Sequence, residues 1–282
     1  MIESSQGKGV TLVFLATLLW SSAGLFTRLL QLDTLTLVSW RGMVSILVIL
    51  IIFRSSREIQ TLTKRPGNFI LSVMLTLATL TYIGALNNAT VAVVSIIHAF
   101  SPLLAAVIAF ILVKERVNKS TWPNLFLALL SIIISVGWGA GGSSHYGIIL
   151  ALSMTLLMAS IAVFCRYNHH ASLVFSTGIS GVQLLVIGVL SGALFNVETQ
   201  DLSTIVFFGL TQALALIFFI EGARYIKSST ACLVSIADVP MAPLLVAIFF
   251  PEPIGIATVI GAVGVMLAVT LESLYSEKRK RC

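Results

Sequence analysis

The sequence predicts an all-α membrane protein of ten transmembrane helices, laid out as two inverted five-helix repeats. Three observations predict it: an apolar composition, ten apolar segments of helix length, and a self-similarity at an offset near 138 residues. Of 282 residues, 57% are hydrophobic and 10% charged, with a mean hydropathy of +1.03. A soluble domain carries about 25% charged residues, so this chain lacks the polar surface to cover itself in water. Its three cysteines, Cys165, Cys232 and Cys282, form neither a CxxC nor an even disulfide framework.

The apolar segments run 10–30, 34–53, 68–86, 91–113, 121–138, 146–165, 172–194, 203–223, 229–249 and 254–274. A helical span needs about 20 apolar residues, whereas a barrel strand would show about ten of alternating polarity. The first segment is too long for a signal-peptide core and is expected to be a retained helix. Orientation follows from charge. With the amino terminus inside, the inner connections take Lys8, Arg54, Arg57, Lys64, Arg65, Lys114, Arg116, Lys119, Arg166, Arg224, Lys227 and Lys278 to Arg281. The outer connections take none, and of the 17 basic residues only Arg28 and Arg41 remain, both within spans. That asymmetry is the positive-inside pattern. It accounts for the net charge of +6 and gives no support to a nucleic-acid partner.

Within the chain, LLWSSAGLFTR (18–28) lies against LLMASIAVFCR (156–166), superposing Ser22 on Ser160, Phe26 on Phe164 and Arg28 on Arg166. Aligning the fourth segment with the ninth brings Glu115 onto Glu252. Five helices separate the copies, an odd number, so the halves 1–138 and 139–282 enter the membrane in opposite senses. Inverted-topology repeats are a common plan of secondary transporters.

Four stretches carry a family resemblance: LLWSSAGLFTR, the WRG at 40–42, ALNNATVAVVSIIHAFSPLLAAVIAFILVKER (85–116) and GARYIKSSTACLVSIADVPMAPLLVAIFFPEP (222–253). In these the chain resembles the EamA family of the drug/metabolite transporter superfamily. The resemblance implies a ten-helix carrier with both termini cytoplasmic, a central cavity, and peripheral fifth and tenth helices. One departure is Asp238-Val239-Pro240, where similar sequences tend to carry Glu-Pro.

Ionisable residues within spans are costly and mark function by default. Asp238 is the acid nearest a span centre, and reads as a proton or cation site, as a counter-ion for a basic substrate, or as a salt-bridge partner of Arg28 or Arg41. Ser95, His98 and Ser101 align with Cys232, Ser235 and Asp238, and steps of three keep each set on one helix face. His98 titrates near neutrality when unperturbed, so it reads as a proton relay or as a satisfied hydrogen bonder. Pro102, Pro240 and Pro243 lie inside spans and free the carbonyls of His98, Ile236 and Val239. Trp20, Ser21 and Ser22 are candidate cavity residues. Tyr82 and Trp40 read as cavity residues or interfacial anchors, and Arg41 as a carboxylate partner or a snorkelling side chain. Glu221 beside Arg224 reads as a surface ion pair, and Glu115 and Glu252 as structural.

The expectation is a secondary transporter that moves a small polar or amphipathic metabolite, such as an amino acid or amine, by alternating access. Export is the expected direction; without a nucleotide-binding domain, the drive is coupling to an ion gradient such as protons, exchange, or facilitated flow. A flippase for a lipid-linked substrate is the alternative, for which Arg28 and Arg41 would supply a basic headgroup site. An intramembrane enzyme is disfavoured by the lack of HExxH, GxSxG and Gly-rich phosphate motifs. Four scattered histidines suggest no metal, and no cofactor is expected. The expected setting is a cell membrane, most simply a bacterial inner membrane, crossed repeatedly with both termini cytoplasmic. Ala257, Gly261, Gly264 and Ala268 form a small-residue stripe on the tenth helix, expected to be a homodimer contact or an internal seam.

Overall fold

The computed structural model describes residues 2–53, 65–114, 121–139, 142–168, 171–223, 225–226, 234–235, 237–250 and 255–280. Cys232, Glu115, Glu252 and Arg224 lie outside the described residues. Every regular element described is helical: α1 (Ile2–Leu30), α2 (Thr34–Phe53), α3 (Pro66–Asn88), α4 (Val91–His98), α5 (Ser101–Val113), α6 (Thr121–Gly139), α7 (His145–Tyr167), α8 (Leu173–Leu190), α9 (Leu202–Ala223), α10 (Asp238–Phe249) and α11 (Ile256–Lys280). A 3-10 turn at Ala193–Phe195 follows α8. Taken with α4 and α5 as one interrupted span, these make ten apolar helical segments. Six are long enough to cross a bilayer, and four are shorter.

Helix starts follow local chemistry. Asp33 opens α2, its carboxylate accepting from Leu35 N at 2.9 Å and Thr36 N at 3.2 Å. Ser144 and Ser172 cap α7 and α8 through the N–H groups of Gly147 and Phe175. Pro66 stands in the first turn of α3, where its missing N–H costs nothing. Side chains facing outward are large and apolar, among them Leu50 (60% exposed), Phe126 (69%), Leu190 (83%) and Ile256 (81%). In water such a surface would aggregate; facing lipid, it is the surface a bilayer requires. The chain is a multi-pass membrane protein.

Helix α1 packs on α9 and α10, α2 on α8 and α9, and α3 on α7 and α8. Helices α4 and α5 pack on α7, and α6 pairs with α11. The main core joins Phe26, Leu37, Ile83, Ile97, Met154 and Phe208, with Phe26 against Phe208 at a ring separation of 5.4 Å. Where α2 crosses α8, Gly42 and Gly181 bring the backbones together: a Cβ at Gly42 would sit 2.7 Å from the Gly181 carbonyl oxygen. The stripe on α11 is used inside the chain. A Cβ on Gly261 would lie 2.6 Å from Ser135 Cβ, Gly264 abuts Ser131, and Ala268 is fully buried. The face of α11 left exposed carries Ile256, Val259, Ile260, Val263 and Leu267 instead.

Candidate functional site

Pro102 breaks the fourth span, and this break builds one part of the site with the start of α10. Pro102 cannot donate to the His98 carbonyl. Helix α4 accordingly ends at His98, Phe100 N turns back to Ile97 O at 3.2 Å, and α5 starts afresh at Ser101. In the ninth segment Ala237 N bonds Val234 O at 3.1 Å, and α10 starts at Asp238. Asp238 thus occupies the first turn of a half-helix, where unsatisfied N–H groups favour negative charge. The face expected from Ser95, His98 and Ser101 is therefore divided between two half-helices rather than continuous. Across the gap His98 lies within electrostatic reach of Asp238, and Tyr82 within reach of both Asp238 and Arg41. Among the described residues His98 Nδ1 has no hydrogen-bond partner.

One turn of α1 ties this break to a cavity. Ser21 is buried, and its Oγ lies 2.9 Å from Thr17 O and 2.6 Å from Asp238 Oδ1. Its neighbour Trp20 lines a cavity of about 640 Å³ between α1, α2, α3, α7, α8 and α9 and rests against Phe219 at 5.2 Å. Leu19 O accepts from Ser22 Oγ at 2.6 Å and from Gln212 Nε2 at 3.2 Å, which fixes the Gln212 amide at the cavity wall. Arg41 also lines the cavity, beside the Gly42–Gly181 crossing. Among the described residues, Arg41 Nη1 and Gln212 Oε1 are buried without hydrogen-bond partners. The remaining wall is mainly apolar, and Glu221 is its other ionisable residue.

The cavity lies toward one end of the helices. Its lining reaches Leu173 at the start of α8 and Glu221 near the end of α9, but includes nothing from the opposite last turns of these helices. At that opposite end, hydrogen bonds tie the connections together. Arg28 Nη2 donates to Ala89 O at 2.9 Å, Asn87 Nδ2 to Leu32 O at 3.2 Å, and Ser144 N to Asn88 O at 2.9 Å. Trp40 Nε1 donates to Leu194 O at 3.1 Å, and Thr36 Oγ1 to Ala193 O at 3.0 Å. Gly147 permits part of this closure, since a Cβ there would meet the Asn88 carbonyl at 2.5 Å.

Of the residues singled out in the sequence, Trp20 and Arg41 line the cavity, whereas Ser22 bonds within its own helix. Asp238 lies within electrostatic reach of both His98 and Tyr82, with Ser101 and Ser95 at or before the break in the fourth span. Ser235 lies three residues before Asp238, in the described fragment that leads into α10. Among the described residues no ion pair joins Asp238 to Arg28 or Arg41; its hydrogen bond comes from Ser21, and Arg28 is engaged with Ala89. Trp40 and Tyr82 are partly buried, and both pack against the core. Glu221 accepts from Tyr225 Oη at 3.0 Å. Sequence reasoning overlooked Gln212 because it searched the spans for charges. A lone amide inside LTQALALIFF was the available signal.

Comparison with known proteins agrees with this architecture. The EamA-like transporter family matches residues 7–137. The chain is 23% identical to the uncharacterized transporter YojE of Bacillus subtilis (strain 168) over 244 residues, 79% of each chain. A crystal structure shares its fold with a TM-score of 0.69 and 17% identity, covering 96% of this chain and 98% of its own. Over residues 7–137, just under half of its length, the chain is similar to the EamA-like transporter family.

Proposed function

We propose that this protein is a secondary carrier that exports a small polar or amphipathic metabolite by alternating access, driven by proton entry at Asp238. The observation that carries the reading is the position of Ser21. Its single hydroxyl proton faces two acceptors, Thr17 O and Asp238 Oδ1. When Asp238 holds a proton, the carboxyl donates to Ser21 Oγ while Ser21 donates to Thr17. When the proton leaves, Ser21 can serve only one acceptor well. Gain or loss of one proton therefore changes how α10 is held to α1, and the same turn of α1 presents Trp20 to the cavity. His98 is the group beside Asp238 through which the proton passes.

Alternating access needs two related packings. Exchanging the first five spans for the last five maps the α1–α9 contact onto α7–α3, and α2–α9 onto α8–α3. The same exchange maps α1–α10 onto the packing of α7 with α4 and α5, while α2–α8 and α6–α11 map onto themselves. This packing supports the inverted repeat, in which one half rocks against the other. The basic connections favour a cytoplasmic cavity mouth, with the hydrogen-bonded end outside. Single cysteines at Thr199 and Ser144, in a background lacking native cysteines, should then react with an impermeant thiol reagent on whole cells. Labelling at Lys278→Cys alone would reverse the orientation.

The coupling is tested in vesicles with an imposed pH gradient and a panel of labelled amino acids, amines and organic acids. The wild type should accumulate its substrate against a gradient. Asp238→Asn keeps the volume and a hydrogen-bonding group, and should retain substrate exchange while losing gradient-driven accumulation. Undiminished accumulation by Asp238→Asn sinks the proton reading.

A further inference from the structure

Two helix crossings in the bundle copy each other at opposite ends. Near the cavity end α1 crosses α9 at Gly9 and Gly222: a Cβ on Gly222 would lie 2.9 Å from the Gly9 carbonyl oxygen and 3.0 Å from Leu12 Cβ. At the hydrogen-bonded end α7 crosses α3 at Gly147 and Gly84. There a Cβ on Gly147 would lie 2.5 Å from the Asn88 carbonyl oxygen, and one on Gly84 3.0 Å from Leu150 Cδ1. Gly9 and Gly147, Leu12 and Leu150, and Gly84 and Gly222 each stand 138 residues apart, which is the repeat offset. Small residues at such crossings let the backbones close up. In an inverted-repeat carrier the second state exchanges the arrangements of the two halves. A contact already alike in both halves survives that exchange, and a contact made by one half must break. The end of α1 away from the cavity makes a contact of the second kind. A Cβ on Gly24 would lie 3.3 Å from Val91 Cβ, and four residues on, along the same face of α1, Arg28 Nη2 donates to Ala89 O at 2.9 Å. Its repeat counterpart would join the last turns of α7 to the end of α9. There the cavity takes its place: Ile161, next to the counterpart of Gly24, and Phe219 and Glu221 of α9 line the wall.

We infer that the protein moves as two bodies, each a helix pair drawn from both halves, α1 with α9 and α3 with α7, and that Gly24 and Arg28 against Val91 and Ala89 form the gate between them. The inference rests on the alternating-access reading above. Helix α10 travels with α1, to which Ser21 bonds Asp238, and α4 and α5 travel with α7. His98 and Asp238 therefore belong to different bodies, and the proton site lies on the seam that the gate closes. The latch itself is a charged donor on a neutral carbonyl near the end of its span. Water replaces that carbonyl when the gate opens, so the contact holds one state without trapping the protein in it.

Distances between paired nitroxide labels test this without a substrate, on the full-length protein in lipid nanodiscs and in a background lacking native cysteines. Leu29, Leu202 and Tyr146 are exposed and stand at the hydrogen-bonded ends of α1, α9 and α7. Labels at Leu29→Cys and Leu202→Cys lie within one body; labels at Leu29→Cys and Tyr146→Cys lie across the gate. The pair within one body should give a single distance, the same in every variant. The pair across the gate should show a second, longer distance. Its population should rise about tenfold or more in Arg28→Met, as for loss of a hydrogen bond from a charged group. Arg28→Lys, which keeps a charged donor, should fall in between. Should Arg28→Met fail to fold, Val91→Ala loosens the same gate from its other side and should shift the distances the same way. Splitting of the distance within the α1–α9 pair overturns the two bodies. A distance across the gate that ignores Arg28→Met and Val91→Ala alike overturns the gate. Gradient-driven accumulation by the wild-type protein, measured in vesicles as above, tells in either case whether the carrier reading has failed as well.

Discussion

The α6–α11 pair and the helices around α1 are built from similar residues and do opposite things. In the pair, Gly261 and Gly264 let α11 settle against Ser131 and Ser135, and both helices run unbroken from end to end. Neither contributes a residue to the cavity wall. Their outer faces are frankly lipophilic, with Phe126 69% and Ile133 62% exposed. Around α1 the fourth span is broken, a buried atom of each of the cavity-lining residues Arg41 and Gln212 lacks a partner among the described residues, and one serine faces two acceptors. Small residues give close, static contact in the first region. In the second, the backbone is left incomplete in ways that a proton or a ligand can complete.

Breaking the static side should have the largest effect on stability. Gly261→Leu drives a side chain into Ser135 and the Ser131 carbonyl, from which a Cβ already stands only 2.6 and 2.8 Å away. Overpacking of this size costs about 3 kcal/mol, so the melting temperature of the solubilised protein should fall by several degrees or more. A variant that melts like the wild type would mean that α11 does not rest on α6. The stripe would then be available to a second copy of the chain, the dimer contact that the sequence alone left open.

Much of the fold was legible because lipid allows few alternatives. A chain that must satisfy its backbone internally can only make helices or a closed barrel, so apolar segment length came close to fixing the spans. The segments at 34–53 and 91–113 match helical boundaries, the latter interrupted where Pro102 requires it. The seventh was read too long: α8 stops at Leu190, and Gly192 in the left-handed region (φ 73°) turns the chain into the 3-10 turn. The site was legible only as a set of suspects. Asp238, His98, Arg41 and Trp20 stand out by type, but which of them meet the cavity and which meet one another depends on how the helices pack. That is set by packing between residues some 200 positions apart, as in Ser21 with Asp238 and Leu19 with Gln212. Gln212 and Gln183 escaped notice because an amide is only mildly unusual in a span. Gln183 accepts from Thr76 Oγ1 at 2.6 Å and donates to Ser72 Oγ at 3.1 Å, a polar tie between α3 and α8.

A smaller and sharper test takes one buried serine from each side. Ser21 and Ser135 are 1% and 0% exposed, and both sit in spans. They differ in what they touch. Ser21 Oγ stands between Thr17 O and Asp238, whereas Ser135 Oγ has no hydrogen-bond partner among the described residues. Removing an unsatisfied buried hydroxyl relieves a penalty of about 1 kcal/mol. Ser135→Ala should therefore melt at or slightly above the wild-type temperature, and transport at the wild-type rate. Ser21→Ala removes the group that answers the charge state of Asp238, a hydrogen bond worth about 1.5–3 kcal/mol when one partner is charged. Gradient-driven transport should fall about tenfold or more, as that energy implies. Ser21→Thr, which restores the hydroxyl, should recover most of it. Substrate exchange without a gradient separates the explanations, because it needs the cavity and not the proton. It should survive in Ser21→Ala, and its loss there would make Ser21 a support for Trp20 instead of a partner of Asp238. If Ser135→Ala proved the variant that loses coupled transport, the division between a holding region and a working one would be wrong.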